Sequence, residues 1–169
     1  MDRLNDELRN EAIGYGLCKQ WQGDWMDSKS QQELITMYKN GLDFCIENNY
    51  PSTTYIKKNF DRTILHKNLI FVDEDVTGMC GESGIYVLNG RCTGSMDFKG
   101  FAVATLYVRH TSEITVSIRH LARVFIRVYD KAKVFVTHTG GAKVYVYRYG
   151  YDTTVSVDSD VRVRDRFNS

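Results

Sequence analysis

The sequence has little proline, with Pro51 as the single case in 169 residues. Proline lacks a backbone N–H and interrupts β-ladders, so its scarcity suits a chain built from many paired strands. Long apolar runs are also missing: every uninterrupted apolar stretch is far shorter than the roughly 20 residues needed to cross a bilayer. The acidic start lacks the basic flank and apolar core of a signal peptide. We therefore expect a cytoplasmic protein with no membrane partner.

Recognisable catalytic and ligand-binding motifs are missing as well. The four cysteines show no Cys-x-x-Cys and no Cys/His ligand spacing, which predicts reduced thiols in a reducing compartment. Gly78, Gly81 and Gly84 form a glycine-rich run without the Lys-Ser/Thr of a phosphate-binding loop. No Ser-His-Asp or Cys-His set is indicated by spacing. These observations predict a protein that is not an enzyme and uses no cofactor.

What is present is typical of a folded domain: 43% apolar, 25% charged and 12% aromatic residues. The net charge of +1 conceals an asymmetry along the chain. Residues 1–79 carry nine basic and thirteen acidic residues, a balance of −4, whereas residues 80–169 carry thirteen and eight, a balance of +5. Two interpretations remain open: the basic half binds a polyanion, or the two halves attract each other.

The first half has helical periodicity. Apolar residues recur at spacings of three to five over residues 4–21, which predicts one helix. Ser30 and Glu33 match a capping box, which predicts a second helix that ends near Ile46. A short third helix is expected after Pro51. We predict a helical capping module over residues 1–76 and a glycine-containing joint over 77–90.

The second half repeats every ten residues from Arg91 onwards. Apolar residues alternate with polar or aromatic ones in each block, which predicts one strand per block with a single buried side. Ten residues cannot close a turn around a filled core, so we predict an α+β protein whose residues 91–169 form a flattened β-solenoid of about 20 residues per turn. Blocks beginning at 91, 111 and 131 would share one sheet, and those beginning at 101, 121 and 141 the other. The alternative is an antiparallel β-meander or sandwich.

The two-sheet arrangement gathers aromatic and basic side chains on one outward face. We call this set the aromatic-basic face, and its members are Arg123, Phe125, Arg127, Tyr129, Lys143, Tyr145, Tyr147 and Tyr149. Aromatic rings beside cations can anchor a protein partner or a second copy, or bind a glycan or polyanion. Alternatively, the ladders only stabilise their own sheet. The sequence favours a non-catalytic binding or assembly protein, with a protein partner ahead of a polyanion or glycan.

Three residues in one repeat column are weak candidates for metal or acid–base chemistry: His110, His120 and Asp130. The two-sheet arrangement puts His110 and Asp130 one turn apart and His120 at the opposite corner. A zinc site needs three or four convergent ligands, and the repeat brings only two together. Histidine and aspartate at corners more often cap turns, so no metal is expected. A metal-dependent enzyme is the least favoured alternative.

The rhythm of Ala132-Lys-Val-Phe-Val and Ala142-Lys-Val-Tyr-Val resembles short-period β-solenoids of the bactofilin and β-roll kind. The segment from Gln32 to Glu74 resembles uncharacterised proteins of gut-bacterial phages and mobile elements. The chain lacks the Gly-Gly-x-Gly-x-Asp motif of calcium-binding β-rolls, and bactofilins lack its helical module. The resemblance implies a virion component or an inhibitor of a host defence system, located in the host cytoplasm or the virion.

The two ends of a solenoid expose unpaired strand edges that invite polymerisation. At the C-terminal end, Arg162, Arg164 and Arg166 alternate with Val161 and Val163. We expect their charges to discourage the addition of another strand. The helices are expected to cap the other end.

Overall fold

The computed structural model describes residues 3–167. Its chain divides into two compact units, with the boundary between Asn68 and Leu69. Six helices belong to the first unit and eleven strands to the second. No helix among residues 3–167 is both long and apolar enough to span a membrane.

The helical unit contains more and shorter helices than the sequence predicts. Its helices are α1 (Arg3–Gly14), α2 (Lys19–Asp24), α3 (Gln31–Asn40), α4 (Leu42–Glu47), α5 (Thr53–Asn59) and α6 (Arg62–Lys67). The predicted helix over residues 4–21 is interrupted after Gly14, where Gly16 adopts a left-handed φ of 88°. The capping box of Ser30 and Glu33 is confirmed, since each side chain accepts a hydrogen bond from the other residue's backbone N–H.

Buried hydrogen bonds tie the helical unit together across long sequence separations. The indole Nε1 of Trp25 donates to Asn5 Oδ1 at 2.8 Å, and both side chains are buried. The hydroxyl of Tyr50 donates to the carbonyl oxygen of Leu8 at 2.7 Å. Both aromatic residues belong to one apolar cluster, so their polar atoms are satisfied inside a hydrophobic core.

The second unit is a parallel β-solenoid, as predicted, and the antiparallel alternative is wrong. Its odd-numbered strands form sheet A in the order β1-β3-β5-β7-β9-β11, and its even-numbered strands form sheet B in the order β10-β8-β6-β4-β2. The strands are β1 (Ile70–Val72), β2 (Met79–Gly81), β3 (Gly84–Asn89), β4 (Thr93–Phe98), β5 (Val103–Val108), β6 (Glu113–Ile118), β7 (Arg123–Val128), β8 (Lys133–His138), β9 (Lys143–Arg148), β10 (Thr154–Ser156) and β11 (Val163–Asp165).

A constant register of 20 residues relates neighbouring strands in the middle of the solenoid. Val103 lies opposite Arg123, which lies opposite Lys143, and the same offset holds from β4 to β6 and from β6 to β8. The inward side chains therefore stack on their own repeat equivalents. Leu106 and Ile126 on sheet A have no solvent exposure, and neither have Val116 and Ile118 on sheet B. The two sheets thus share one solvent-excluded apolar core.

The solenoid begins earlier than the sequence predicts. Residues 70–89 form β1, β2 and β3, so the predicted helical module over 1–76 and joint over 77–90 are both corrected by the boundary after Asn68. Gly81 lies inside β2 and packs directly against the Phe98 ring, where a Cβ would clash. The ten-residue repeat is not visible in the first turn, because β1 and β2 are related to β3 and β4 by 17 residues instead of 20.

The new boundary also reduces the charge asymmetry. Asp73, Glu74 and Asp75 belong to the β unit, so residues 1–68 carry nine basic and ten acidic residues, a balance of −1. Residues 69–169 carry thirteen and eleven, a balance of +2. Attraction between oppositely charged halves therefore loses its main support, and local charge distribution within the solenoid becomes the relevant quantity.

One extra residue enters the repeat near Gly150. Thr154 of β10 lies opposite Lys133 at an offset of 21 residues, which keeps Val155 opposite the buried Val134. The final strand shortens the offset to 17, since Val163 lies opposite Val146. Val155, Val157, Val161 and Val163 all pack against the core.

Candidate binding face

The structure brings all eight residues of the aromatic-basic face together on sheet A. They extend from the outward positions of β7 and β9 or from the corner that follows each strand, as the two-sheet arrangement predicts. Three of the cross-strand pairs are Arg123 with Lys143, Phe125 with Tyr145, and Arg127 with Tyr147. The binding role assigned to these residues stays a prediction.

Aromatic rings on this face stack along the solenoid axis. Phe125 and Tyr145 have ring centroids 4.9 Å apart and planes inclined by 12°, and Tyr129 and Tyr149 lie 4.6 Å apart at 11°. The stacking follows from the parallel register, which places equivalent side chains one strand spacing apart. Stacked rings turn their π faces towards neighbouring turns, so the outward surface consists of ring edges and tyrosine hydroxyl groups.

Cations are interleaved with the rings. The Arg127 guanidinium lies 5.3 Å from the Tyr107 ring centroid, and the Arg166 guanidinium lies 5.8 Å from that of Tyr147. Both distances are within the range of cation–π attraction. Arg123 and Lys143 are exposed, and neither forms an ion pair with a carboxylate among residues 3–167. The face is therefore positively charged without internal neutralisation.

Burial within the stacks raises the pKa of one tyrosine. Tyr129 is half-buried, and desolvation raises its pKa well above the usual range, with a further contribution from neighbouring Tyr149. Its phenol therefore stays neutral at any physiological pH and can act as a hydrogen-bond donor.

Sequence reasoning missed two contributors to this face. Tyr107 stacks on Tyr129 with centroids 6.2 Å apart and planes inclined by 6°. Arg164 of β11 lies opposite Tyr147 and extends the row of cations. The repeat itself assigns residue 107 to sheet A, so Tyr107 could have been found. Arg164 could not, because the final turn departs from the 20-residue period.

Arg109, at the corner that follows β5, does not point to solvent. It is 2% exposed, and its Nη1 donates to Asn89 Oδ1 at 2.9 Å. Both residues stand at equivalent corners one turn apart, where a buried amide oxygen accepts a hydrogen bond from the guanidinium. Arg109 therefore has a structural role and does not belong to the outward face.

The weak metal candidates act as corner residues. His110, His120 and Asp130 all adopt left-handed φ values between 56° and 60°. His110 Nδ1 accepts a hydrogen bond from the Gly90 N–H at 2.9 Å, and the His110 N–H donates to Asp130 Oδ2 at 2.9 Å. Each side chain thus caps the backbone one turn earlier.

These corner bonds leave no convergent site. His120 accepts from the Gly100 N–H at 3.2 Å on the opposite edge, away from His110. No three His, Cys, Asp or Glu residues within the described chain are placed to hold a metal ion. Burial lowers the pKa of His110, as does nearby Arg109, against the opposing effects of Asp130 and Asp73. The neutral ring that results is the form that accepts through Nδ1.

No protein-family model, no curated protein and no solved structure matched this chain. The helical unit and the parallel solenoid are therefore established by the structure alone. The resemblance to bactofilins, β-rolls and phage proteins gains no support from these comparisons.

Proposed function

We propose that this chain is a non-catalytic binding protein that uses the aromatic-basic face to bind an acidic protein partner. The observation that carries the proposal is the combination of unneutralised cations and ordered rings on one sheet. Preorganised aromatic side chains cost little entropy when a partner binds, and Arg and Tyr are enriched among residues that dominate binding energy. Carboxylates on the partner would supply the charge that Arg123 and Lys143 lack within the chain.

Ring geometry favours a protein over a glycan or a single-stranded nucleic acid. Sugars and bases bind aromatic residues through ring faces. In the pairs Phe125–Tyr145 and Tyr129–Tyr149 those faces already contact each other. The edges and hydroxyl groups that remain suit hydrogen bonding to carboxylates and peptide groups. A virion component and an inhibitor of a host defence protein are both settings in which such a partner would occur.

Capture from the native host tests the proposal. A variant with Phe125→Ser, Tyr145→Ser and Tyr147→Ser should lose the partner recovered by the unaltered chain while its circular dichroism spectrum stays the same. The matched control is Phe135→Ser, which changes a phenylalanine at the equivalent position of sheet B. Capture that survives the triple change, or is lost equally in the control, would contradict the proposal.

Binding to defined polymers separates the alternatives. We expect the unaltered chain to bind an oligoglutamate peptide in low salt, with affinity falling as salt rises and on Arg123→Gln/Lys143→Gln substitution. Tighter binding to an oligothymidylate, or binding to a neutral oligosaccharide that depends on Phe125, would instead support the polyanion or glycan alternative.

A further inference from the structure

The end of the solenoid differs chemically from its middle. One inward position is apolar through successive turns, with Phe98 and Ile118 on sheet B and Val108 and Val128 on sheet A, all without solvent exposure. In the last full turn the same position is polar on both sheets. It is occupied by His138 on β8 and Arg148 on β9. Polar groups at the edge of an apolar core need partners, because leaving them unpaired is costly.

Three aspartates from the chain's last segment hydrogen-bond to these two residues, at the backbone N–H of His138 and at the side chains of His138 and Arg148. Asp158 Oδ2 accepts from the His138 N–H at 2.9 Å, and Asp160 Oδ1 lies 3.0 Å from His138 Nε2. Asp165 accepts two hydrogen bonds from Arg148, from Nε at 2.8 Å and from Nη2 at 3.0 Å. The paired geometry of this last contact is the strongest arrangement for an arginine and a carboxylate. We call residues 150–167 the cap segment.

The cap segment replaces two long strand edges with two short ones. β8 and β9 have six residues each, whereas β10 and β11, which cover them, have three each. Short edge strands offer few unpaired backbone groups to another chain. Phe167 adds aromatic contacts to the cap segment. Its ring centroid lies 4.0 Å from the ring centroid of Tyr151 and 5.2 Å from the Arg148 guanidinium.

We propose that Asp158, Asp160 and Asp165 latch the cap segment over β8 and β9, and that release of this latch exposes an interaction surface for a second copy of the chain. The occupant follows from the edges themselves, since β8 and β9 are each six residues long and their outward backbone groups lose their partners when the cap segment leaves. A second copy related by a two-fold axis brings the same two edges, so that both sheets find hydrogen-bonding partners at once. The sequence predicted that Arg162, Arg164 and Arg166 discourage the addition of another strand, whereas this proposal gives the main role at this end to the three aspartates.

Substitution of the latch tests this proposal in the full chain. Asp158→Ala/Asp160→Ala/Asp165→Ala is compared with Asp152→Ala, because Asp152 is exposed and its side chain forms no hydrogen bond or ion pair within residues 3–167. Mass from light scattering reports association, and amide hydrogen exchange reports release of residues 150–167. We expect faster exchange in the cap segment and an association constant at least about tenfold higher, with the control unchanged. Unchanged exchange, or release without association, would overturn the proposal, as would equal association of the unaltered chain.

A charge exchange separates loss of the ion pair from loss of folding as the cause of association. Arg148→Asp/Asp165→Arg retains an oppositely charged pair at the same place, whereas Asp165→Ala removes it. If the latch depends on this pair, the exchanged variant stays monomeric while Asp165→Ala associates. Equal association of both variants would contradict the latch. The charge exchange changes none of the eight residues of the aromatic-basic face, so failure here would leave the proposed binding function untouched.

Discussion

The outward faces of sheets A and B are carried on one core and have the same strand spacing, yet their chemistry differs. Sheet B presents mainly serine and threonine, and its charges pair along the stack: Lys133 with Glu113 at 3.6 Å, and Arg119 Nε with Asp97 Oδ1 at 3.2 Å. Sheet A presents stacked rings together with Arg123 and Lys143, which form no ion pair with a carboxylate among residues 3–167. The inward side chains must fill a common core, whereas the outward ones are free to diverge. The unneutralised charge of Arg123 and Lys143 is the difference on which the proposed binding function rests.

The largest expected effect tests whether the core is truly common to both sheets. Ile126 on sheet A and Ile118 on sheet B are both without solvent exposure. Replacing either with alanine leaves a cavity in a close-packed interior, so each should lower the free energy of unfolding by about 2–5 kcal/mol. Urea denaturation of the two single variants measures this. If only one of the two variants had a lower free energy of unfolding, the two sheets would not share one core.

A matched pair of phenylalanines tests the next difference between the faces. Phe125 and Phe135 occupy equivalent positions on consecutive strands, but Phe125 stacks on Tyr145, whereas Phe135 is 36% exposed. Phe125→Ala should therefore destabilise the chain more than Phe135→Ala, by about 0.5–1.5 kcal/mol for the lost ring contact. Thermal unfolding of both variants, with Tyr145→Ala as a check on the same stack, measures the difference. Equal losses would mean that stacking on sheet A adds nothing to stability.

How well the sequence predicted the solenoid depended on how strictly each segment repeats. The block structure fixed the 20-residue turn and the membership of each sheet, because stacked residues such as Val124 and Val144 keep their apolar character. It failed for β1 and β2, whose 17-residue offset and three-residue length carry no repeat signal. Local periodicity likewise predicted one helix where Gly16 interrupts it.

Prediction of the candidate site was limited in a different way. Alternation and period predicted which eight residues come together on sheet A, since a parallel register decides which side chains become neighbours. The binding role of these residues stays a prediction. Alternation alone could not show that Arg109 is buried against Asn89, because a corner residue does not follow the strand period. Nor could it assign the roles of Asp158 and Asp165, which depend on how the last segment folds over β8 and β9.

The smallest expected effect concerns paired and unpaired charge at one matched position. Glu113 and Lys133 on sheet B, and Arg123 and Lys143 on sheet A, each begin their strands one turn apart. Lys143→Glu should create an ion pair with Arg123 and slightly raise the urea midpoint, whereas Glu113→Lys should create a like-charged pair and lower it. Because these groups are exposed, both shifts should disappear in about 1 M salt. The exchange Glu113→Lys/Lys133→Glu is the control, since it keeps an opposite pair and should leave the midpoint unchanged. Shifts that persist in high salt would mean that packing, and not charge, distinguishes the two faces at this position.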